Sequence, residues 1–412
     1  MRLSKFLAAA LCAAVLATCI CSCGLISEST YEQAEKFGNG VRDFIQPEES
    51  SQNSSPESNP ESSFPETSGP DFQNSSPISP EPDYYRQHLT ELEQREYDFL
   101  LAAAEKRQKT AEISTADEAI LTAALRALYA DHPEFFWMEN GGSFYTSGSH
   151  SEYHFLLNSL IENADAAQQE IDTAVNEFLN TIPEDASDYQ KVKLVFDFLV
   201  DSISYDVNSA NSGNIYGALV EKKARCEGYA RAAQYLLNKM NIFCTYVTGE
   251  TTDGQPHGWN LLFLDGEFYH MDATWGDPSF TGETVESMAG YRNYLYLCAT
   301  TEEILHSRTI DETYAAMPLC DSDTHSYFTE SERWIADDSF SETFEPILRD
   351  AIQDQEPFVS VRFADPADLE QAISILFDQQ QIYQLFTENQ LSLTEVSYLT
   401  DPDFGILTIF LH

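Results

Sequence analysis

GALVEKKARCEGYARAAQYLLNKM (217–240) and NIFCTYVTGETTDGQPHGWNLLFLDGEFYHMDATWGDP (241–278) are the stretch that decides the fold. After Cys226, apolar residues fall at Tyr229, Ala232, Ala233, Leu236, Leu237 and Met240. That spacing predicts an amphipathic helix with one buried face. Cys226 then stands at the helix N-terminus, where free backbone N–H groups and the helix dipole favour negative charge. Arg225 is its neighbour in sequence. Both features favour the thiolate, which is the reactive form of cysteine.

Downstream, His257–Leu264 and Glu267–Thr274 read as strands joined by Asp265-Gly266, a two-residue hairpin turn that needs positive φ. The turn sets a register in which Leu264 faces Glu267, Leu261 faces His270, Trp259 faces Asp272 and His257 faces Thr274. Facing residues share a sheet face, as do residues two apart. His257 and Asp272 become diagonal neighbours within reach of a side-chain hydrogen bond. A thiol at a helix start, an imidazole and a carboxylate that orients it form the logic of a Cys-His-Asp triad. His270 lies on the same face nearer the turn, and pattern alone leaves it open as the base. Taken singly, each residue has an ordinary reading: a buried small cysteine, a structural strand histidine, an aspartate capping a turn.

The segments Cys226-Glu227-Gly228-Tyr229-Ala230, His257-Gly258-Trp259-Asn260 and Asp272-Ala273-Thr274-Trp275-Gly276-Asp277-Pro278 closely resemble the transglutaminase-like superfamily of papain-like cysteine enzymes. KVKLVFDFLVDSISYD (Lys191–Asp206) resembles the preceding helix of that family, ending in its Tyr-Asp pair, and DHPEFFWM (131–138) resembles a stretch ahead of the core. The resemblance spans about Asp185 to Cys320. The chain departs from it at Leu194-Val195, where relatives often carry a polar residue or histidine. The resemblance implies Cys226 as nucleophile, His257 rather than His270 as base and Asp272 as orienter. It also implies Tyr205 as a side-chain donor to the oxyanion, beside the Cys226 backbone N–H. Trp259 and Trp275 flank the triad as candidates for shielding a thioester at the substrate site.

The chain has 412 residues with a formal net charge of −46. Such a surface repels nucleic-acid phosphates and excludes that class of partner. Hydrophobic residues at 42% supply ample core. Residues 1–22 read as a signal peptide: Arg2 and Lys5 are basic, and Phe6–Ile20 is uncharged and short for a membrane span. Ile20-Cys21-Ser22-Cys23 resembles a lipobox with Cys23 lipidated, and Leu16-Ala17-Thr18-Cys19 is a second candidate. Residues 30–46 could form a short helix, and Pro47–Asp83 is almost wholly Ser, Pro, Glu and Asn, the composition of a disordered tether.

The expected organisation is therefore a signal peptide (1–22), a tether (23–83), a mainly helical region (84–180), the catalytic core (181–320) and a small α/β unit (321–412). In the helical region, helices are expected over Leu89–Gln108, Thr115–Ala130 and Ala164–Leu179, with short strands at Phe135–Trp137, Gly142–Ser147 and Tyr153–Leu157. Tyr291–Arg308 reads as a strand and a short helix. The last unit reads as a strand at Phe358–Phe363, helix over Pro366–Asn389, and strands at Glu395–Thr400 and Gly405–Leu411. The fold class is α+β, with the cysteine helix packed on an antiparallel sheet that carries the histidine and aspartate.

His132, His150 and His154 fit no tight metal-ligand spacing. Zinc on Cys226, His257 and Asp272 suits a helix-start thiol less well than nucleophilic chemistry does. No metal or cofactor is expected. With Cys23 lipidated and Cys226 free, Cys244, Cys298 and Cys320 remain, an odd number that argues against a disulfide framework and leaves room for one bridge. The expected function is acyl transfer or hydrolysis at peptide or glutamine amides on the outer face of a bacterial membrane, with protein or peptide substrates. The competing class is a surface binding module with a vestigial triad, and its sign would be loss of a triad residue.

Overall fold

The computed structural model describes residues 80–148, 150–278, 290–336, 340–388 and 397–411. The signal peptide, Cys23, residues 30–46 and nearly all of the tether lie outside the described residues.

Local signals start most of the helices. Helix α1 (Glu91–Ala104) opens with a capping box between Thr90 and Glu93. Helix α2 (Glu118–Asp131) opens with the Asp117 carboxylate accepting from the backbone of Ala119 and Ile120. Strands β1 (Thr110–Glu112), β2 (Met138–Ser147) and β3 (His150–Leu157) form an antiparallel sheet in the order β1-β3-β2. Phe135–Trp137 is turn rather than the strand expected from its aromatics: all three rings are buried, and pairing begins at Met138. Helix α3 (Ala164–Leu179) follows as expected, then α4 (Asp188–Ser202) behind a second capping box, Ser187 with Gln190.

Short parallel strands β4 (Ser204–Tyr205) and β5 (Lys223–Ala224) lead into α5 (Cys226–Lys239). A four-stranded antiparallel sheet follows in the order β8-β7-β6-β9, built from β6 (Cys244–Thr251), β7 (Pro256–Leu264), β8 (Glu267–Met271) and β9 (Arg308–Ile310). Asp265 and Gly266 both take positive φ, 49° and 95°, and fix the expected register: Leu264 opposite Glu267, Leu261 opposite His270. Pairing stops at Asn260 opposite Met271, so β8 is shorter than Glu267–Thr274. Asp272 instead turns its carboxylate onto the N–H groups of Thr274 and Trp275 and starts the one-turn helix α6 (Ala273–Gly276). Where the sequence read a strand and a short helix over Tyr291–Arg308, there is a 3₁₀ turn at Tyr294–Tyr296, helix α7 (Thr301–Leu305) and then β9.

The expected single buried face of α5 is a correction. Every residue from Glu227 to Leu237 is buried, which makes α5 the central helix of the molecule. Its polar residues are satisfied at the C-terminal end of α2, where unpaired carbonyls attract donors. Arg231 donates to the carbonyls of Tyr129 and His132, and Gln234 to that of Ala130. Residues 84–180 and 181–320, read as separate regions, consequently share one hydrophobic core, which runs from Tyr84 to Phe328 and also takes in Phe358, Ile406 and Phe410.

A second core gathers residues from Ile335 to Leu411. It lies under a four-stranded sheet in the order β10-β11-β13-β12, made from β10 (Trp334–Ile335), β11 (Phe358–Phe363), β12 (Ser397–Asp401) and β13 (Ile406–Phe410). The helix expected over Pro366–Asn389 is divided into Pro366–Ile373, a π-turn at Ser374–Asp378 and Gln381–Glu388. Tyr291 wedges between Phe358 and Phe410 and joins this sheet to the main core.

Candidate active site

Cys226 begins α5 and is partly exposed, whereas Cys244, Cys298 and Cys320 are buried; all four are free thiols. Gly228, two residues in, lets the loop ahead of the helix close: a Cβ there would sit 2.2 Å from the Ser212 carbonyl oxygen. Glu227 is buried and accepts from Tyr129 Oη at 2.8 Å and from Arg225 Nε at 3.1 Å. This revises the expected part of Arg225. Its charge is compensated by Glu227 rather than left free to act on the neighbouring thiol.

His257, on β7, is 6% exposed. Its Nε2 lies 2.7 Å from Asp272 Oδ2, and the ring is hydrogen-bonded to the Cys226 side chain, for which Nδ1 is the nitrogen left. The structure thus brings together the three residues that the sequence singled out. Burial alone would push the imidazole pKa down, but the Asp272 carboxylate and the hydrogen bonds to Asp272 and Cys226 outweigh it and raise the pKa to about 9. Burial would raise the Asp272 pKa, yet the cations beside it, His257 and Arg308, hold it down to about 2.

The alternative base, His270, is fully buried and otherwise engaged. Trp259 Nε1 donates to its Nδ1 at 3.1 Å, which leaves the proton on Nε2, 3.3 Å from Thr301 Oγ1. Burial and the nearby Arg308 push its pKa down to about 3, so it stays neutral and structural.

Tyr205 pairs with Ala224, two residues before the thiol, and lies close enough for the charges of Cys226 and Asp272 to act on its phenol. Burial, with these charges, raises its pKa and keeps it a donor through the physiological range. The two tryptophans divide. Trp259 is 1% exposed, which corrects its candidacy for the substrate site: it stacks on His257 at 5.9 Å as a wall behind the imidazole. Trp275 is partly exposed and packs edge-on to His257 at 6.0 Å.

Sequence reasoning missed Arg308. It enters from β9, 1% exposed, and its Nη1 donates to Asp272 Oδ2. Its guanidinium lies over the rings of Trp259, Trp275 and Tyr296 at 5.4, 4.4 and 5.2 Å. An arginine between Ser307 and Thr309 has no periodic or motif signal, and by itself reads as surface. Other motif residues hold the scaffold: Asn260 Nδ2 donates to the Ala230 carbonyl at 2.9 Å, tying β7 to α5, and Tyr229 Oη donates to Asp277 Oδ2 at 2.7 Å.

Comparison with known proteins bears on the same segment. Kyphoscoliosis peptidase of Mus musculus is 24% identical over 152 residues, 33% of this chain and 23% of that protein. The Homo sapiens counterpart is 23% identical over 149 residues, 32% and 22% of the two chains. This chain therefore spans under a quarter of the length of these curated relatives. Among solved structures, a transglutaminase covers 33% of this chain and 44% of its own at 17% identity and a TM-score of 0.24. A candidate cysteine protease from Cytophaga hutchinsonii covers 26% and 37% at 20% identity and a TM-score of 0.22. The family whose model matches is the transglutaminase-like superfamily, over residues 177–273, and over that stretch this chain is similar to it.

Proposed function

We propose that the protein is a cysteine acyl-transfer enzyme acting on peptide or glutamine amides through a thioester on Cys226. The observation that carries this reading is the hydrogen-bonded series from the helix-start thiol through His257 to Asp272. In the first step the Cys226 thiolate attacks the carbonyl carbon, forming the C–S bond. The C–N bond breaks as protonated His257 delivers its proton to the leaving amine or ammonia. In the second, water or a primary amine attacks the thioester, His257 takes the proton from it, and the thiolate departs. The developing oxyanion is met by the Cys226 backbone N–H and, in this proposal, the Tyr205 hydroxyl.

The pH dependence follows from His257. Its pKa is raised, so the imidazolium that partners the thiolate persists below about pH 9 and is lost as pH rises through that value. In stability terms, the His257 contribution is complete below its ordinary value of 6.5 and disappears as pH rises through about 9. That of Asp272 is present above 3.8 and lost as pH falls through about 2.

Incubation with glutamine-containing peptides, with and without added primary amines, tests the function by intact mass. The expected result is an acyl adduct on Cys226 that hydroxylamine releases, with products that divide between water and amine. Alkylation by iodoacetamide, followed across pH, should already be fast well below pH 8.5, the ordinary cysteine value, and change again near pH 9 as the imidazolium loses its proton, with both features absent in His257→Ala. A thiol indifferent to His257, with no adduct from any peptide, would remove the reading.

On sequence alone, the enzyme is held at an outer membrane face by a lipid on Cys23, with residues 23–83 as the tether. Intact mass of native protein should show residues 1–22 absent and lipid added at Cys23. An N-terminus beginning elsewhere without lipid would contradict the anchor.

A further inference from the structure

Asp272 accepts from four donors. Oδ1 takes the backbone N–H groups of Thr274 and Trp275 at 3.0 and 3.1 Å, while Oδ2 takes His257 Nε2 at 2.7 Å and Arg308 Nη1. The two backbone donors are neutral. When His257 gives up its proton, Arg308 is thus the only full positive charge left on a carboxylate buried to 1%. An ionised carboxylate left uncompensated at that depth is strongly unfavourable, and without a second cation it would hold the imidazolium proton tightly.

Resting on the acyl-transfer reading above, we propose that Arg308 is a fourth, positioning residue of the site. Its charge keeps Asp272 compensated in both protonation states of His257, so that the imidazole can release its proton as well as accept it. The groups around the imidazole are Asp272, Cys226 on α5, Tyr205 on β4, Arg308 on β9, and His270 and Tyr296 behind Trp259 and Trp275. Among these His270 is neutral and Tyr296 is pushed up to about 12 by burial, which leaves Arg308 as the fixed cation. The guanidinium is held for this task. Three aromatic rings enclose it, Ser307 Oγ meets its Nε at 3.1 Å, and its Nη2 has no partner among the described residues.

The test is the pH profile of Cys226 alkylation by iodoacetamide in the full chain, with folding checked by circular dichroism. In Arg308→Gln the alkaline limb should move up by about one pH unit, because a nearby cation that opposed the imidazolium is gone. Arg308→Lys, which keeps the charge, should leave the limb within about 0.3 units of wild type while still slowing the reaction. If the Gln variant does not fold, Asp272→Asn is compared with Asp272→Asn/Arg308→Gln. There the carboxylate is gone and the guanidinium opposes the imidazolium through space alone, so the double variant should still show the higher limb, by a smaller amount. Equal limbs in the pair that folds, with wild type still showing its His257-dependent fast thiol, overturn the role of Arg308 and leave the enzyme reading standing. A wild-type thiol without that dependence removes the enzyme reading itself.

Discussion

Cys226→Ala should lower the rate of hydrolysis or transamidation of a glutamine peptide by about 10⁴–10⁶, because removing the nucleophile removes the covalent route altogether. His257→Ala should cost about as much, since the members of such a unit act together: without the imidazole the thiol has no partner for its proton and the leaving amine has no donor. Asp272→Ala should have a smaller effect on chemistry and a larger one on stability. Its carboxylate starts α6 and compensates Arg308, and a buried guanidinium left alone is destabilising by roughly 3–5 kcal/mol. His270→Gln provides the control. The side chain touches Trp259 and Thr301 rather than the thiol, so the rate should stay within about threefold while the unfolding midpoint falls. Turnover by Cys226→Ala within about tenfold of wild type would exclude a thioester intermediate.

Trp259→Ala should damage the fold around the site about as much as Asp272→Ala, at about 3–5 kcal/mol in urea unfolding. The indole is fully buried, so its removal combines lost transfer free energy with a cavity that β7 and β9, locked in one sheet, cannot close. The loss also carries into function. One face of the ring backs His257 and the guanidinium of Arg308 lies against it, while Nε1 fixes the tautomer of His270. The folded fraction of Trp259→Ala should therefore alkylate more slowly at Cys226 than wild type. Trp259→Phe should lose less, because it keeps much of the wall and gives up the Nε1 hydrogen bond. A penalty below about 1 kcal/mol for Trp259→Ala would show that the wall is replaceable, contrary to the packing described.

Elements whose cause is local were legible in the sequence. The 3.6-residue spacing after Cys226 gives α5 its first residue, and Asp265-Gly266 gives β7 and β8 their register, since only such residues enter that turn without strain. Together these two signals place a thiol, an imidazole and a carboxylate near one another, although Asp272 arrives as a helix cap rather than as a strand residue. Tertiary structure decided what each group touches. The burial of α5 on all sides depends on α2 presenting its carbonyls to Arg231 and Gln234, and Glu227, which compensates Arg225, is held by Tyr129 of α2. Trp259 is a wall rather than a substrate contact because β9 brings Arg308 against its ring. Arg308 reaches Asp272 across 36 positions of sequence through pairing of β9 with β6. The physical reason is the range of the interactions: turn and helix signals lie within a few residues, whereas burial and charge compensation depend on chain segments that meet only in the folded molecule.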